Sequence, residues 1–118
     1  MGAKFSMADV FLYLTTTGRK SGLQRRIEIW FVESGGAHYV VSEMRRASGW
    51  VKNIERDPRV SFCVGTRGAR ESVRPNTSAR ARTVEREDEP DLAARVSALM
   101  DEKYGWSDGL IVELSPES

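Results

Sequence analysis

Apolar and polar positions alternate with a period of two over most of this chain, and twice the period lengthens to about 3.6. The first run, VFLYLTTT at residues 10–17, sets Val10, Leu12 and Leu14 against Phe11, Tyr13 and Thr15, and predicts a β-strand with both faces covered. A polar turn, GRKSG, is bracketed by Gly18 and Gly22. RRIEIWFV at residues 25–32 then sets Ile27, Ile29 and Phe31 against Arg26, Glu28 and Trp30, and reads as a second strand. Gly35-Gly36 supplies a turn that tolerates positive φ, and AHYVVS at 37–42 resumes the alternation, so these two strands are expected to form a hairpin.

Ala47, Trp50, Val51 and Ile54 next fall at i, i+3, i+4 and i+7, one face of a helix with Ser48 as its N-cap and Asp57-Pro58 as its stop. RVSFCVG at 59–65 returns to strand pattern, with Val60, Phe62 and Val64 on one face and Cys63 on the other. Two Arg-rich segments, 69–74 and 78–84, read as further strands. Glu87-Asp88-Glu89-Pro90-Asp91 opens a second helix, its acidic groups facing the positive end of the helix dipole. Leu92, Val96, Leu99 and Met100 form its apolar stripe, Gly105 ends it, and LIVEL at 110–114 is a last strand. About six strands with two helices, one of them interrupting the strand series, predict a mainly β (α+β) fold. We read it as a small closed or partly closed β-barrel forming one domain over residues 1–118, rather than a parallel doubly wound sheet.

Composition narrows the class. The 118 residues carry 18 Lys+Arg against 17 Asp+Glu, with one His and one Cys. No purely apolar stretch exceeds five residues, so no segment reads as a membrane-spanning helix, and a single Cys forms no internal disulfide. The expected location is the cytoplasm. The near-neutral sum hides an asymmetry: residues 1–83 hold 15 basic and 7 acidic side chains, and residues 84–118 hold 3 and 10. Of the 18 basic residues 14 are Arg, whose planar fork suits phosphate and carboxylate, so the basic part invites an anionic ligand.

Candidate chemistry gathers at Thr15-Thr16-Thr17-Gly18-Arg19-Lys20-Ser21-Gly22, which stacks hydroxyls, two cations and two glycines in one turn. Such a turn suits phosphate, although Arg19 precedes Lys20 where a P-loop has Gly, and a strand follows where a helix would be needed. A solvated basic hairpin is the competing reading. Arg25-Arg26 and Arg45-Arg46 add two more basic clusters. Metal binding and nucleophilic catalysis lack donors: His38 reads as a surface residue and Cys63 as a buried thiol. Arg67, Arg70, Arg74, Arg80 and Arg82 raise nucleic-acid binding, against which stand the balanced charge and the lack of a recognition motif.

TTTGRKSG leading into IEIWFV, then YVVS, then GWVKNIERDPRVSF, resembles the deazaflavin-dependent nitroreductase-like family, a split β-barrel related to the FMN-binding pyridoxamine phosphate oxidase barrels. The resemblance covers residues 10–66, and the acidic helix ending in KYGW extends it to Trp106. It implies a split β-barrel whose cofactor groove is lined by Arg19, Lys20 and Ser21, by Arg25 and Arg26, and by Ser42, Arg45, Arg46 and Trp50. Trp50 also lies on the helical apolar stripe, where core packing competes with a place beside the cofactor ring. Tyr13, Tyr104 and Trp106 carry the same ambiguity between bordering a substrate and capping the barrel. The implied cofactor is the deazaflavin coenzyme F-420 or FMN, and the implied reaction is hydride transfer to a small nitro, quinone or conjugated acceptor. Since the cofactor carries the hydride, the resemblance nominates no catalytic side chain. It also implies a homodimer. The short 43–49 loop and the nine residues before Val10 trim the substrate side relative to the family. That motivates an alternative, a non-catalytic binder of a cofactor, tetrapyrrole or fatty acid.

Overall fold

The computed structural model describes residues 10–66 and 76–117. Seven strands and two helices follow one another as β1 (Val10–Thr17), β2 (Gln24–Ile29), β3 (Phe31–Ser34), β4 (Ala37–Ser42), α1 (Gly49–Arg56), β5 (Arg59–Thr66), β6 (Thr77–Val84), α2 (Pro90–Tyr104) and β7 (Leu110–Pro116). All seven strands join one sheet in the order β2-β1-β5-β6-β7-β4-β3, and every pairing is antiparallel. Leu12 and Leu14 of β1 share one buried cluster with Val40 of β4, Phe62 and Val64 of β5, and Val112 and Leu114 of β7. Residues from strands far apart in the sheet meet only if the sheet curls, so the architecture is a curled antiparallel half-barrel. Ile54 of α1 joins the same cluster.

Period-2 alternation sends the intervening residues to the opposite face. There Tyr39, Val41, Val84 and Ile111 pack beneath Ala93, Val96 and Met100 of α2. Burying each larger side chain of this second layer contributes roughly 1.5–3 kcal/mol. Pro90 begins α2 and Gly105, in the left-handed region at φ 74°, ends it, as the sequence predicts. Leu92 and Leu99 are only partly buried against this layer, and Ala93 takes the deeper position.

Three expectations need correcting. The strand predicted over 25–32 is two strands, because Gln24–Ile29 pairs with β1 while Phe31–Ser34 pairs with β4. The bend at Trp30 is fastened from α2: the Phe31 amide donates to Tyr104 Oη (3.1 Å), and Tyr104 Oη and Lys103 Nζ donate to the Phe31 carbonyl (3.1 and 2.7 Å). Ala47 is exposed in a 3-10 turn (Arg45–Ala47) before α1, not on the buried stripe. His38 is buried rather than on the surface, its ring beside Phe31 and Phe62 at centroid distances of 5.7 and 4.6 Å and its Nε2 3.6 Å from Glu33 Oε2. Cys63 is buried as expected. The β3–β4 turn uses Gly35 and Gly36 at φ 61° and 86°, as the hairpin expectation requires. The strand expected over 69–74 lies outside the described residues, as do Arg67, Arg70 and Arg74.

Candidate functional site

A cleft of about 640 Å³, open to solvent, lies where the ends of β2 and β4, the 43–48 loop, the start of α1 and the segment after α2 converge. Its apolar wall is Phe11, Ile29, Val41 and all three tryptophans of the chain, Trp30, Trp50 and Trp106. Trp30 stacks on Tyr104 at 4.3 Å with the planes 3° apart, and Trp106 meets Trp30 edge-on at 6.4 Å. Rings locked in this way make an angled wall, Trp106 turned 66° to Trp30, whose shape is set before any ligand arrives. Tyr104 thus holds the wall from behind, Trp106 borders the cleft, and Trp50 both packs on the inner core and lines the opening.

The polar side of the cleft is built on Ser42, 1% exposed at the end of β4. Its hydroxyl donates to the Arg45 carbonyl (2.9 Å), so the Ser48 hydroxyl, 2.7 Å away, donates to it. This pair pins the loop into a path that forces Arg45 to φ 54°, a left-handed conformation that side chains other than glycine avoid. Ser48 occupies the N-cap position but caps nothing with its side chain, because its hydroxyl is committed to Ser42. Gly109 lies so close beneath that a Cβ there would sit 2.4 Å from the Ser42 carbonyl oxygen.

The sequence-nominated residues fall into separate places. Ser42 and Trp50 line the aromatic cleft; Arg45 and Arg46 border a second groove of about 470 Å³ with Glu85 and Arg86; Arg19 borders a third of about 360 Å³ with Arg56 and Arg59. Arg45 pairs with Asp108 at 2.9 Å, and Arg46 bridges Glu55 and Glu85, so both side chains are engaged within the chain. Lys20 is exposed at the tip of the turn, and the Ser21 hydroxyl accepts from the Leu23 amide at 3.1 Å. Arg25 lies alongside this turn, its Nε 3.5 Å from where a Cβ on Gly18 would stand. Arg26, next on the strand, faces the other way: it donates to Cys63 Sγ at 2.8 Å and lies 5.5 Å over the Tyr13 ring. Two consecutive strand residues cannot serve one face, which separates this pair.

One link joins the basic turn to the aromatic cleft. Arg19 Nη1 donates to the carbonyl of Gly49 (3.3 Å), between the cleft residues Ser48 and Trp50, and to Asn53 Oδ1 (3.0 Å). Asn53 was not singled out from sequence; its signal was a poor helix former in the middle of an eight-residue helix. Around the cleft, burial pushes the Tyr104 phenol above its ordinary pKa against the opposing effect of its Phe31 contact, and burial lowers that of Lys103. Neither shift creates an acid or base facing the opening. Among the described residues no group of three or more His, Cys, Asp and Glu is placed to hold a metal, and no helix is long and apolar enough to cross a membrane.

The arrangement is therefore a shaped, aromatic slot with the Ser42–Ser48 hydroxyl pair in its wall, the carboxylates of Glu28 and Glu43 on its lining, and Arg19 tied to it through the Gly49 carbonyl. Its volume lies within the roughly 300–1,000 Å³ typical of small-molecule sites, room enough for a planar tricyclic ring. Among solved structures, the chain is similar to HutZ, the heme storage protein of Vibrio cholerae, with a TM-score of 0.72, 24% identity, and 94% of this chain and 83% of that chain covered. It is similar to a Listeria innocua protein assigned as a pyridoxamine 5′-phosphate oxidase (TM-score 0.68, 14% identity, 92% and 84% covered). It is also similar to an F420-H2-dependent reductase, FDR-A (TM-score 0.52, 22% identity, 91% and 94% covered). These likenesses establish the split-barrel fold. No match is found among curated protein sequences. Residues 1–105 match the F420-H2-dependent quinone reductase family. With nearly the whole chain inside that match and a slot of suitable size, the protein belongs to this family of deazaflavin-dependent oxidoreductases, with coenzyme F-420 as the cofactor.

Proposed function

We propose that the aromatic cleft receives the deazaflavin ring, that the turn carrying Arg19, Lys20, Ser21 and Arg25 takes its anionic tail, and that the acceptor is a small planar quinone or nitro compound. The observation that carries this reading is the cleft itself, with three tryptophans on one opening and the Ser42–Ser48 hydroxyl pair set into its wall. When bound, the reduced deazaflavin supplies a hydride to the acceptor. The chain's own contribution is to orient: Trp30, Trp50 and Trp106 shield a flat ligand from water, and the Ser48 oxygen, its proton already given to Ser42, is left to accept from a polar ring edge. Arg45 and Arg46 shape the loop over the cleft through their carboxylate partners, and Arg26 braces the outer face of β1 and β5. Because the cleft is open along one side, a second copy of the chain is proposed to close it, in a cytoplasmic homodimer.

Titration with coenzyme F-420, followed by quenching of tryptophan fluorescence, tests the reading, with sedimentation for the dimer. Saturable binding and acceptor-dependent reoxidation of the reduced cofactor without oxygen are expected. Absence of saturable binding would remove the proposal.

The likeness to a heme storage protein favours one alternative, a tetrapyrrole carrier. Against it, the chain's one histidine is buried among Phe31 and Phe62 and does not line the aromatic cleft, so an imidazole is not on offer there as an axial ligand. Saturable haem binding with no cofactor oxidation by any acceptor would favour the carrier.

A further inference from the structure

We propose that Asn53 is the positioning residue of the anion-binding turn, holding Arg19 rigid while leaving its charge unneutralised for the ligand's negative tail. The assignment rests on the deazaflavin reading above and adds to it a residue that reading does not use.

Asn53 is 5% exposed, and its amide is spent on the turn. Its Oδ1 accepts from the Arg19 backbone amide (3.1 Å) and from Arg19 Nη1 (3.0 Å), while its Nδ2 donates to the buried Thr16 hydroxyl (3.1 Å). Asparagine weakens a helix interior, since its side chain competes for backbone groups, so its place in α1 is repaid only by these off-helix partners. The consequence lies in the partner's charge. Arg45 is neutralised by Asp108, Arg46 by Glu55 and Glu85, and Arg82 by Glu89 and Glu113. Arg86 is held by neutral oxygens of Ser97, Ser107 and Gly109, but both its terminal nitrogens are used and it borders a groove shared with Glu85 and Glu87. Arg19 is different: neutral oxygens of Asn53 and Gly49 engage Nη1 alone, and Nε and Nη2 have no partner among the described residues. It borders the groove shared with Arg56, Arg59 and the one acid Asp57, which Arg59 occupies at 3.0 Å. An arginine ordinarily surrenders rotamer freedom when it grips an anion; here that freedom is already surrendered in the free protein, and the charge is intact.

The test compares two ligands of one ring system, coenzyme F-420 with its phosphodiester tail and the phosphate-free 5-deazariboflavin, on the full chain and on Asn53→Ala, Asn53→Asp and Arg19→Gln. Asn53→Asp keeps both acceptor bonds to Arg19 but loses the Nδ2 donation to Thr16 and sets a carboxylate against the guanidinium, so urea unfolding of each variant is measured beside binding to show that it is folded. All three variants are expected to lose about tenfold or more in affinity for the phosphodiester ligand, the size of one charge-assisted hydrogen bond, and less than about twofold for the phosphate-free one. A purely structural role would lower both affinities together. Equal losses on both ligands, or full affinity for the phosphodiester in Asn53→Asp, would overturn the assignment while leaving the deazaflavin reading in place. Failure of the unsubstituted chain to bind either ligand would sink that reading, and this one with it.

Discussion

Ser42 shows how much of the site hangs on one side chain. Its hydroxyl is buried, gives its proton to the Arg45 carbonyl and takes one from Ser48, so removing it strands two polar groups at once. Ser42→Ala is expected to lower stability by about 1–2 kcal/mol, read from the urea midpoint, and to weaken cofactor binding as residues 43–48 relax from the path that holds Arg45 at φ 54°. YVVS made Ser42 visible in the sequence, but nothing in a one-dimensional pattern discloses that its partner is Ser48, six residues on. The same holds for Arg25 and Arg26: their adjacency reads as a cluster, and the pleat of β2 sends them apart.

Among the elements, β4 and β7 are packed to the limit at one point. Ser42 pairs with Leu110, and the chain preceding Leu110 runs against the Ser42 carbonyl at Gly109. Gly109→Ala is expected to cost about 1–3 kcal/mol, because a backbone rather than a flexible side chain must yield, and to disturb cofactor affinity through Ser42. Calorimetry and binding on the same variant check both. The end of α2 governs the bend between β2 and β3 in a comparable way. Tyr104→Phe keeps the stack on Trp30 but leaves the Phe31 amide without its hydroxyl, and is expected to lower stability by about 1–2 kcal/mol in urea unfolding. The periodicity over 25–32 is continuous, so the sequence offers no sign of this break; it follows from which strands the two halves pair with.

At the scale of the whole molecule, stability should depend on pH at both ends. Burial and the hydrogen bond to Glu113 (2.7 Å) push the Tyr39 phenol up to about 12 from 10.0. Below pH 10 both folded and unfolded chains keep it neutral and the contribution is fully present; as pH rises from 10 towards 12 the unfolded chain ionises first and stability is lost. Tyr39→Phe should remove this part of the alkaline decline in denaturation midpoints. Burial raises the Glu113 pKa, but hydrogen bonds from Arg82 and Tyr39 outweigh it and hold the carboxyl below 4.5. Its stabilising effect is therefore present above that value and lost as pH falls through the lowered one. The excess of basic residues in the first part of the chain and acidic ones in the last is resolved at this scale. Arg82 of β6 meets Glu89 before α2 and Glu113 of β7, and Arg46 meets Glu85, so several cations that looked available to a ligand are already taken.

Most strand and helix positions, though not the break at Trp30 or the 3-10 turn at Ala47, were legible from the sequence alone, as were the Gly35-Gly36 turn, the two ends of α2 and the barrel class, because periodicity, caps and turn residues act over a few neighbouring positions. The motifs in TTTGRKSG and GWVKNIERDPRVSF likewise pointed to a deazaflavin family before any contact was known. Tertiary structure alone decided that His38 is buried, that three tryptophans from distant segments make one wall, and which arginines are neutralised. Those outcomes depend on which residues a curled sheet brings together across long stretches of chain, and charge pairing and ring stacking have no short-range signature in sequence.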